Sequence, residues 1–157
     1  MYQLGKTSRQ RLQGVDPRLV RCVERAIQIT AQDFTVLEGV RSIETQRDYV
    51  RRGVSQTMNS RHLRQPDGLG KAVDLVPWAG GMPRWEWPLI WPIADAMRRA
   101  SIELGVPIRW GGFWGRLDQL TTAAAIKRNV DAYTAARKAQ KKSAFLDGPH
   151  YEIPAGS

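Results

Sequence analysis

The chain has two histidines in 157 residues, His62 and His150, and each shares a turn-forming stretch with an aspartate. His62 lies in residues 59–77, N-S-R-H-L-R-Q-P-D-G-L-G-K-A-V-D-L-V-P, where it and Asp74 flank a glycine-rich turn and a short strand. Residues 71–76 alternate as a half-buried strand does, so Val73 and Leu75 are expected to face a core and Ala72, Asp74 and Val76 the other side. A carboxylate beside the small Ala72 leaves room for a ligand at its oxygens. His150 lies in residues 147–153, D-G-P-H-Y-E-I. Pro149 disfavours helical geometry at Gly148, and Gly148 is expected to use backbone angles closed to other residues, so Asp147 and His150 converge from a tight turn. His150 to Ile153 then reads as a strand with His150 and Glu152 on one face. His62, Asp74 and His150 make a three-ligand set with the fourth position open to water, the pattern of a catalytic zinc site, and Asp147 is a spare carboxylate beside it.

Several elements must position these groups. Asp16 and Pro17 open a helix in which Leu19, Val20, Val23, Ala26, Ile27 and Thr30 recur at helical spacing, with Arg18, Arg21, Glu24 and Arg25 on a solvated face. Residues 34–37 form a short strand that delivers Glu38, Gly39 and Arg41, and Ser42 caps a helix running through Gln46 and Tyr49 to Gly53. Between residues 77 and 91 four tryptophans alternate with prolines, and these are expected to complete a core rather than form a stacking wall. A helix from about residue 88 to 104 buries Ile93, Ala94, Met97 and Ala100 and stops at Gly105; residues 106–110 form another strand, and Gly111 and Gly112 let Trp114 approach the site. Residues 115–142 carry seven basic and two acidic side chains, with Ala123, Ile126, Val130 and Tyr133 as a narrow apolar stripe, which predicts a basic helix lying on the domain.

The motifs together resemble a family of zinc peptidases that includes D-alanyl-D-alanine carboxypeptidases and the L-alanyl-D-glutamate peptidases used as phage endolysins. The family signature is S-x-H, a glycine, A-x-D, and later a carboxylate three residues before a second histidine. It is met here by Ser60, His62, Gly70, Ala72, Asp74, Asp147 and His150. Glu38-Gly39-Val40-Arg41-Ser42 with Gln46 resembles the family's arginine and glutamine segment, and Trp110-Gly111-Gly112-Phe113-Trp114 its W-G-G-x-W turn. The resemblance spans about residues 36–153. Three features depart from the pattern: a longer loop at residues 63–69, Phe113 where relatives often carry aspartate, and an extension between Trp114 and Phe145.

The resemblance implies zinc on His62, Asp74 and His150, catalytic roles for Asp147 and Arg41, and substrate contacts from Gln46, Ser60 and Trp114. Without the family, Arg41 reads as an ion-pair partner of Glu38. The implied activity is hydrolysis of the L-alanyl-D-glutamate bond in bacterial peptidoglycan, with a D-alanyl-D-alanine carboxypeptidase or dipeptidase as the alternative.

Length and 42% hydrophobic composition fit one α+β domain, a small antiparallel sheet carrying the site and packed by helices, with the core at about residues 16–153 and a basic helical insertion at about 115–143. A formal charge of +9 favours polyanionic partners, and the basic helix suits anionic outer-membrane lipid. A nucleic-acid-binding protein with Arg61, His62, Arg64 and the late helix on phosphates would leave the paired D-G-P-H and A-V-D motifs without a role, so no nucleic acid is expected. The single Cys22 reads as a small core residue, and a monomer is expected. The first residues lack the apolar segment of a secretory signal, which implies synthesis in a host cytoplasm and action at the cell wall after another protein opens the membrane.

Overall fold

The alternating run after Gly70 forms the longest strand and the centre of the site-bearing sheet, as seen in a computed structural model covering residues 1–157. In chain order the elements are α1 (Lys6–Arg11), α2 (Pro17–Ile29), β1 (Phe34–Glu38), α3 (Ile43–Arg51), β2 (Ala72–Ala79), β3 (Met82–Pro83), α4 (Trp87–Leu104), β4 (Arg109–Trp110), β5 (Gly115–Arg116), α5 (Ala123–Ala139) and β6 (His150–Glu152). The sheet runs β1-β2-β6-β4-β5, every pairing antiparallel, while β3 folds back on the far end of β2. This is the α+β arrangement expected from the sequence.

The alternation in β2 is only partly a division between core and solvent. Val73 and Leu75 face the main core as expected, but Ala72 and Val76 are buried too, because β2 is an interior strand covered on both faces. Asp74 is the partly open position in this run.

Helix α2 forms where Asp16 and Pro17 predict it: the Asp16 carboxylate accepts from the Arg18 backbone N–H, and Leu19, Cys22, Val23, Ala26 and Ile27 are buried. Ser42 caps α3 by accepting from the Thr45 N–H, and α4 ends on Gly105 at φ +65°. Helix α5 buries Ala125, Ile126 and Val130 against the domain, whereas Ala123 is exposed and Tyr133 half-buried, so the apolar stripe is rotated from the one expected. No helix is long and apolar enough to cross a membrane.

The core begins earlier than residue 16. Leu4, Leu12 and Val15 belong to it, and α1 covers the outer edge of β1. There Ser8 Oγ accepts from the Val36 N–H at 3.0 Å and Arg11 Nη1 donates to the Val36 carbonyl at 2.9 Å, satisfying backbone groups that an edge strand otherwise leaves unpaired.

The four tryptophans divide. Trp87 and Trp91 pack on the core, 4.6 Å apart between ring centres, but Trp78 and Trp85 are exposed, and Trp85 stands at the rim of the cleft described next.

Candidate active site

Strand register creates the centre of the site. Asp74 on β2 lies directly opposite His150 on β6, and a bulge between Val36 and Glu38 sets Glu38 opposite Asp74 on the other side. His62 enters from the loop before β2. Its backbone carbonyl accepts from the Arg41 N–H at 2.9 Å, and its ring Nδ1 lies 2.8 Å from the Gly39 carbonyl. A carbonyl only accepts, so Nδ1 carries a proton, and in the neutral ring it is Nε2 that presents its lone pair to the interior. Gly39 can occupy this spot because it has no side chain: a Cβ there would lie 2.0 Å from the Arg11 carbonyl oxygen at the end of α1.

The two rings meet at Asp74. His62 Nε2 is 3.3 Å and His150 Nδ1 3.5 Å from Asp74 Oδ1, and the ring centres are 5.1 Å apart. One ligand atom from each of the three residues lies within 4.8 Å of the others. Asp74 Oδ1 is buried and has no hydrogen-bond donor. Burial alone would raise the Asp74 carboxyl, but the neighbouring His150 and His62 hold it well below the usual carboxylate range. An anionic oxygen without a donor, between two imidazole nitrogens, is a site that could hold a metal ion.

A fourth residue completes this arrangement. Glu152, buried on the same strand as His150, lies 2.8 Å from His150 Nε2 through Oε1. It fixes which ring nitrogen faces Asp74, as outer carboxylates do for metal-bound histidines. Burial works against a charged His150 ring, yet Asp74 and Glu152 prevail and push it up to about 9. A metal binding here would replace that proton. The sequence placed Glu152 on the face of His150 without giving it a role; the two-residue spacing on a strand was the available signal.

Asp147 reaches the site through the W-G-G turn. Its N–H donates to the Gly111 carbonyl at 2.9 Å, the Gly111 N–H donates to the His150 carbonyl at 2.9 Å, and the His150 N–H returns to the Asp147 carbonyl at 3.1 Å. A Cβ on Gly111 would lie 2.2 Å from the Asp147 carbonyl oxygen, so only glycine allows this lacing. Gly148 does not use a positive φ, contrary to expectation; its missing side chain instead makes room against Ile90 and Trp87. Burial and the negative charge of Asp74 raise the Asp147 carboxyl above its ordinary value.

Arg41, Gln46 and Ser60 are brought together as well. Arg41 donates to both oxygens of Glu38, at 2.6 and 2.7 Å, and to Gln46 Oε1 at 2.7 Å, while Ser60 Oγ is 3.4 Å from its Nη1. The ion pair with Glu38 is therefore present, and it lies inside the cleft. Gln46 is fully buried, with its amide nitrogen donating to the Thr57 carbonyl and Ser55 Oγ, so it braces Arg41 from behind instead of facing a ligand. Trp114 takes φ +59°, lies face to face with Phe145 at 5.7 Å and stands 5.4 Å from His150, as a wall of the site. Phe113, which departs from the family pattern, packs edge-on against Trp110.

Glu38, Arg41, Ser60, His62, Asp74, Trp114, Asp147, His150 and Glu152 border one cleft of about 1040 Å³, and Gln46 does not. Its lining also holds Arg61, Arg109, Tyr49 and Trp85, none of which sequence patterns singled out for the site.

The model of the family described as phage L-alanyl-D-glutamate peptidase matches residues 1–153. The chain belongs to that family. The L-alanyl-D-glutamate peptidase of Escherichia phage T5 is similar at 28% identity over 117 residues, 72% of this chain and 82% of the phage T5 protein. The crystal structure of the Serratia marcescens L-Ala D-Glu endopeptidase ChiX superposes with a TM-score of 0.70 at 34% identity, covering 97% of this chain and 90% of that one. Membership in the peptidase family gives the histidine-aspartate cluster its context: peptide hydrolysis needs activated water and a group to carry its proton, and the cleft holds candidates for both.

Proposed function

We propose that this family member hydrolyses the L-alanyl-D-glutamate bond of peptidoglycan stem peptides, with zinc held by His62 Nε2, Asp74 and His150 Nδ1. The observation that carries the reading is the convergence of two imidazole nitrogens, at 3.3 and 3.5 Å, on the donorless Asp74 Oδ1. Tetrahedral ligands about 2.0–2.1 Å from zinc stand about 3.3 Å from one another, so the two histidine–aspartate spacings suit that ion. Bound there, zinc supplies Lewis acidity, acidifying water and polarising a carbonyl.

The chain's own groups supply the remaining chemistry. Asp147 accepts a proton from the attacking water and passes it to the leaving amine; a carboxyl raised by burial and by Asp74 is suited to both transfers. Arg41, held in place by Glu38 and Gln46, keeps a fixed positive charge at the cleft for the developing oxyanion. Ser60 and Trp114 border the substrate path, with Ser60 also accepting from the His62 N–H at 3.2 Å.

Digestion of purified peptidoglycan followed by mass analysis of the fragments tests the reading. New amino termini at D-glutamate, lost on chelation and restored by zinc, are expected. Release of terminal D-alanine instead would move the chain to carboxypeptidase chemistry, and no cleavage by folded, zinc-loaded protein would overturn the assignment.

A further inference from the structure

Three arginines line the cleft, Arg41, Arg61 and Arg109, and their hydrogen bonds distinguish them. Arg41 is occupied on every nitrogen, by Glu38 and by Gln46. Arg61 donates to the Ile153 carbonyl through Nε and Nη2, at 3.2 and 2.7 Å, and to Gln65 Oε1 through Nη1 at 3.2 Å. Arg109 is anchored only at Nε, which donates to the Trp114 carbonyl at 3.0 Å. Its Nη1 is 3.6 Å from Glu152 Oε2, beyond hydrogen-bond reach, and Arg61 stands 3.7 Å from the same oxygen. One carboxylate thus faces two guanidinium groups and leaves a positive charge on this wall.

The orientation of Arg109 is also fixed. Its guanidinium carbon lies 5.1 Å from the Trp114 ring centre, with the side chain 41% exposed to the cleft. Stacking on the indole and the bond at Nε hold the planar group at one end. The terminal nitrogens are left as an unfilled pair of donors, the arrangement by which arginine reads a carboxylate.

The substrate class follows from the proposed activity, on which this inference rests. A glutamate has two carboxyl groups; when its amine is acylated by alanine and one carboxyl continues the chain, the other remains free a few bonds from the scissile amide. We infer that Arg109 binds this free carboxylate of the D-glutamate and makes the enzyme selective for it over the carboxamide. A carboxamide offers one oxygen and places its own N–H donors against the fork, leaving a donor unmatched.

Two synthetic muropeptides that differ only in this group, carboxylate or carboxamide, test the inference, with purified sacculi digested in parallel. Wild-type kcat/KM is expected to favour the carboxylate by about 10–100-fold, the range of one charged hydrogen-bonding contact. Arg109→Gln should lower kcat/KM for the carboxylate peptide by that factor, leave the carboxamide peptide nearly unchanged, and keep zinc content. Arg109→Lys should restore part of the preference. Equal wild-type rates on the two peptides, a ratio that needs no variant, would overturn the inference, as would an equal slowing of both by Arg109→Gln. If sacculi release D-glutamate amino termini while the muropeptides show no preference, the carboxylate site falls and the endopeptidase reading stands; if sacculi are not cleaved, both fall.

Discussion

Glu152 holds Nε2 of His150 at 2.8 Å, and the opposite nitrogen of the same ring stands 3.5 Å from Asp74. The ring is thus fixed from both sides before any ion arrives. Glu152→Gln keeps an acceptor of similar shape and removes the charge, so it should weaken zinc affinity about 10–100-fold while the fold survives. Competition with a chromophoric chelator measures this directly. Unchanged affinity would show that Glu152 serves only packing.

The same pair sets a pH dependence. In the metal-free protein His150 is raised from 6.5 to about 9, so its stabilising contribution is fully present below pH 6.5 and is lost as pH rises through about 9. The melting temperature of chelated protein should therefore fall across that window. Zinc affinity should move the opposite way, gaining about tenfold for each pH unit until His150 has lost its proton. Parallel melting curves with and without zinc separate the two effects.

Gly111→Ala is expected to damage site and fold together. The added methyl would meet the Asp147 carbonyl at 2.2 Å, and backbone held by three hydrogen bonds around residues 111, 147 and 150 has little room to yield. Overpacking of this kind costs about 1–3 kcal/mol. Chemical denaturation gives that number, and activity should fall further than the lost stability explains, since Asp147 moves with the turn.

The histidine-aspartate cluster was legible because it is concentrated in rare residues: two histidines, each in a glycine-containing turn, announce themselves. Helix α2 was legible from Asp16-Pro17 and its period, and α3 from Ser42. What escaped depends on partners distant in sequence. Lys6–Arg11 has no apolar period of its own and is fixed through Ser8 and Arg11 bonding to Val36, a strand edge that local pattern does not reveal. Gln46, expected to contact substrate, is instead covered by residues 55–57, and nothing local in the sequence indicates that they fold over it. Arg109 and Trp85 reach the cleft only through the sheet order and a loop path, which hydrophobic patterning does not encode.

A charge cluster centred on the buried pair Asp16 and Lys71 anchors the start of β2. Lys71 Nζ donates to Asp16 Oδ2 at 2.8 Å and to Asp67, and the Lys71 backbone bonds to Arg61 and Ile153 on either side. Arg18 first, then Lys71, hold the Asp16 carboxyl well below the usual range against the effect of burial. A depressed folded value contributes stability above the unfolded value near 3.8, and this is lost as pH falls through the folded one. Asp16→Asn retains a helix cap but not the charge, so it should cost about 1–3 kcal/mol at neutral pH, with the difference from wild type closing in strong acid. Urea denaturation at a series of pH values checks both size and sign.

Asp147 and the three proposed metal ligands should separate cleanly in a paired measurement of zinc content and turnover. Asp147 is not one of the three converging donors, so Asp147→Asn should bind zinc as wild type does. It removes the proposed proton carrier, and turnover should fall by about 10²–10⁴-fold. His62→Ala removes a donor whose Nε2 is 3.3 Å from Asp74, and Asp74 Oδ1 then faces His150 alone; zinc should be lost first and activity with it. Excess zinc should therefore restore part of the His62→Ala activity and none of the Asp147→Asn activity. If Asp147→Asn instead loses zinc, the carboxylate belongs to the metal site itself, and the proton must be carried by another cleft group such as Glu38, which lies across β1 and β2 from Asp74.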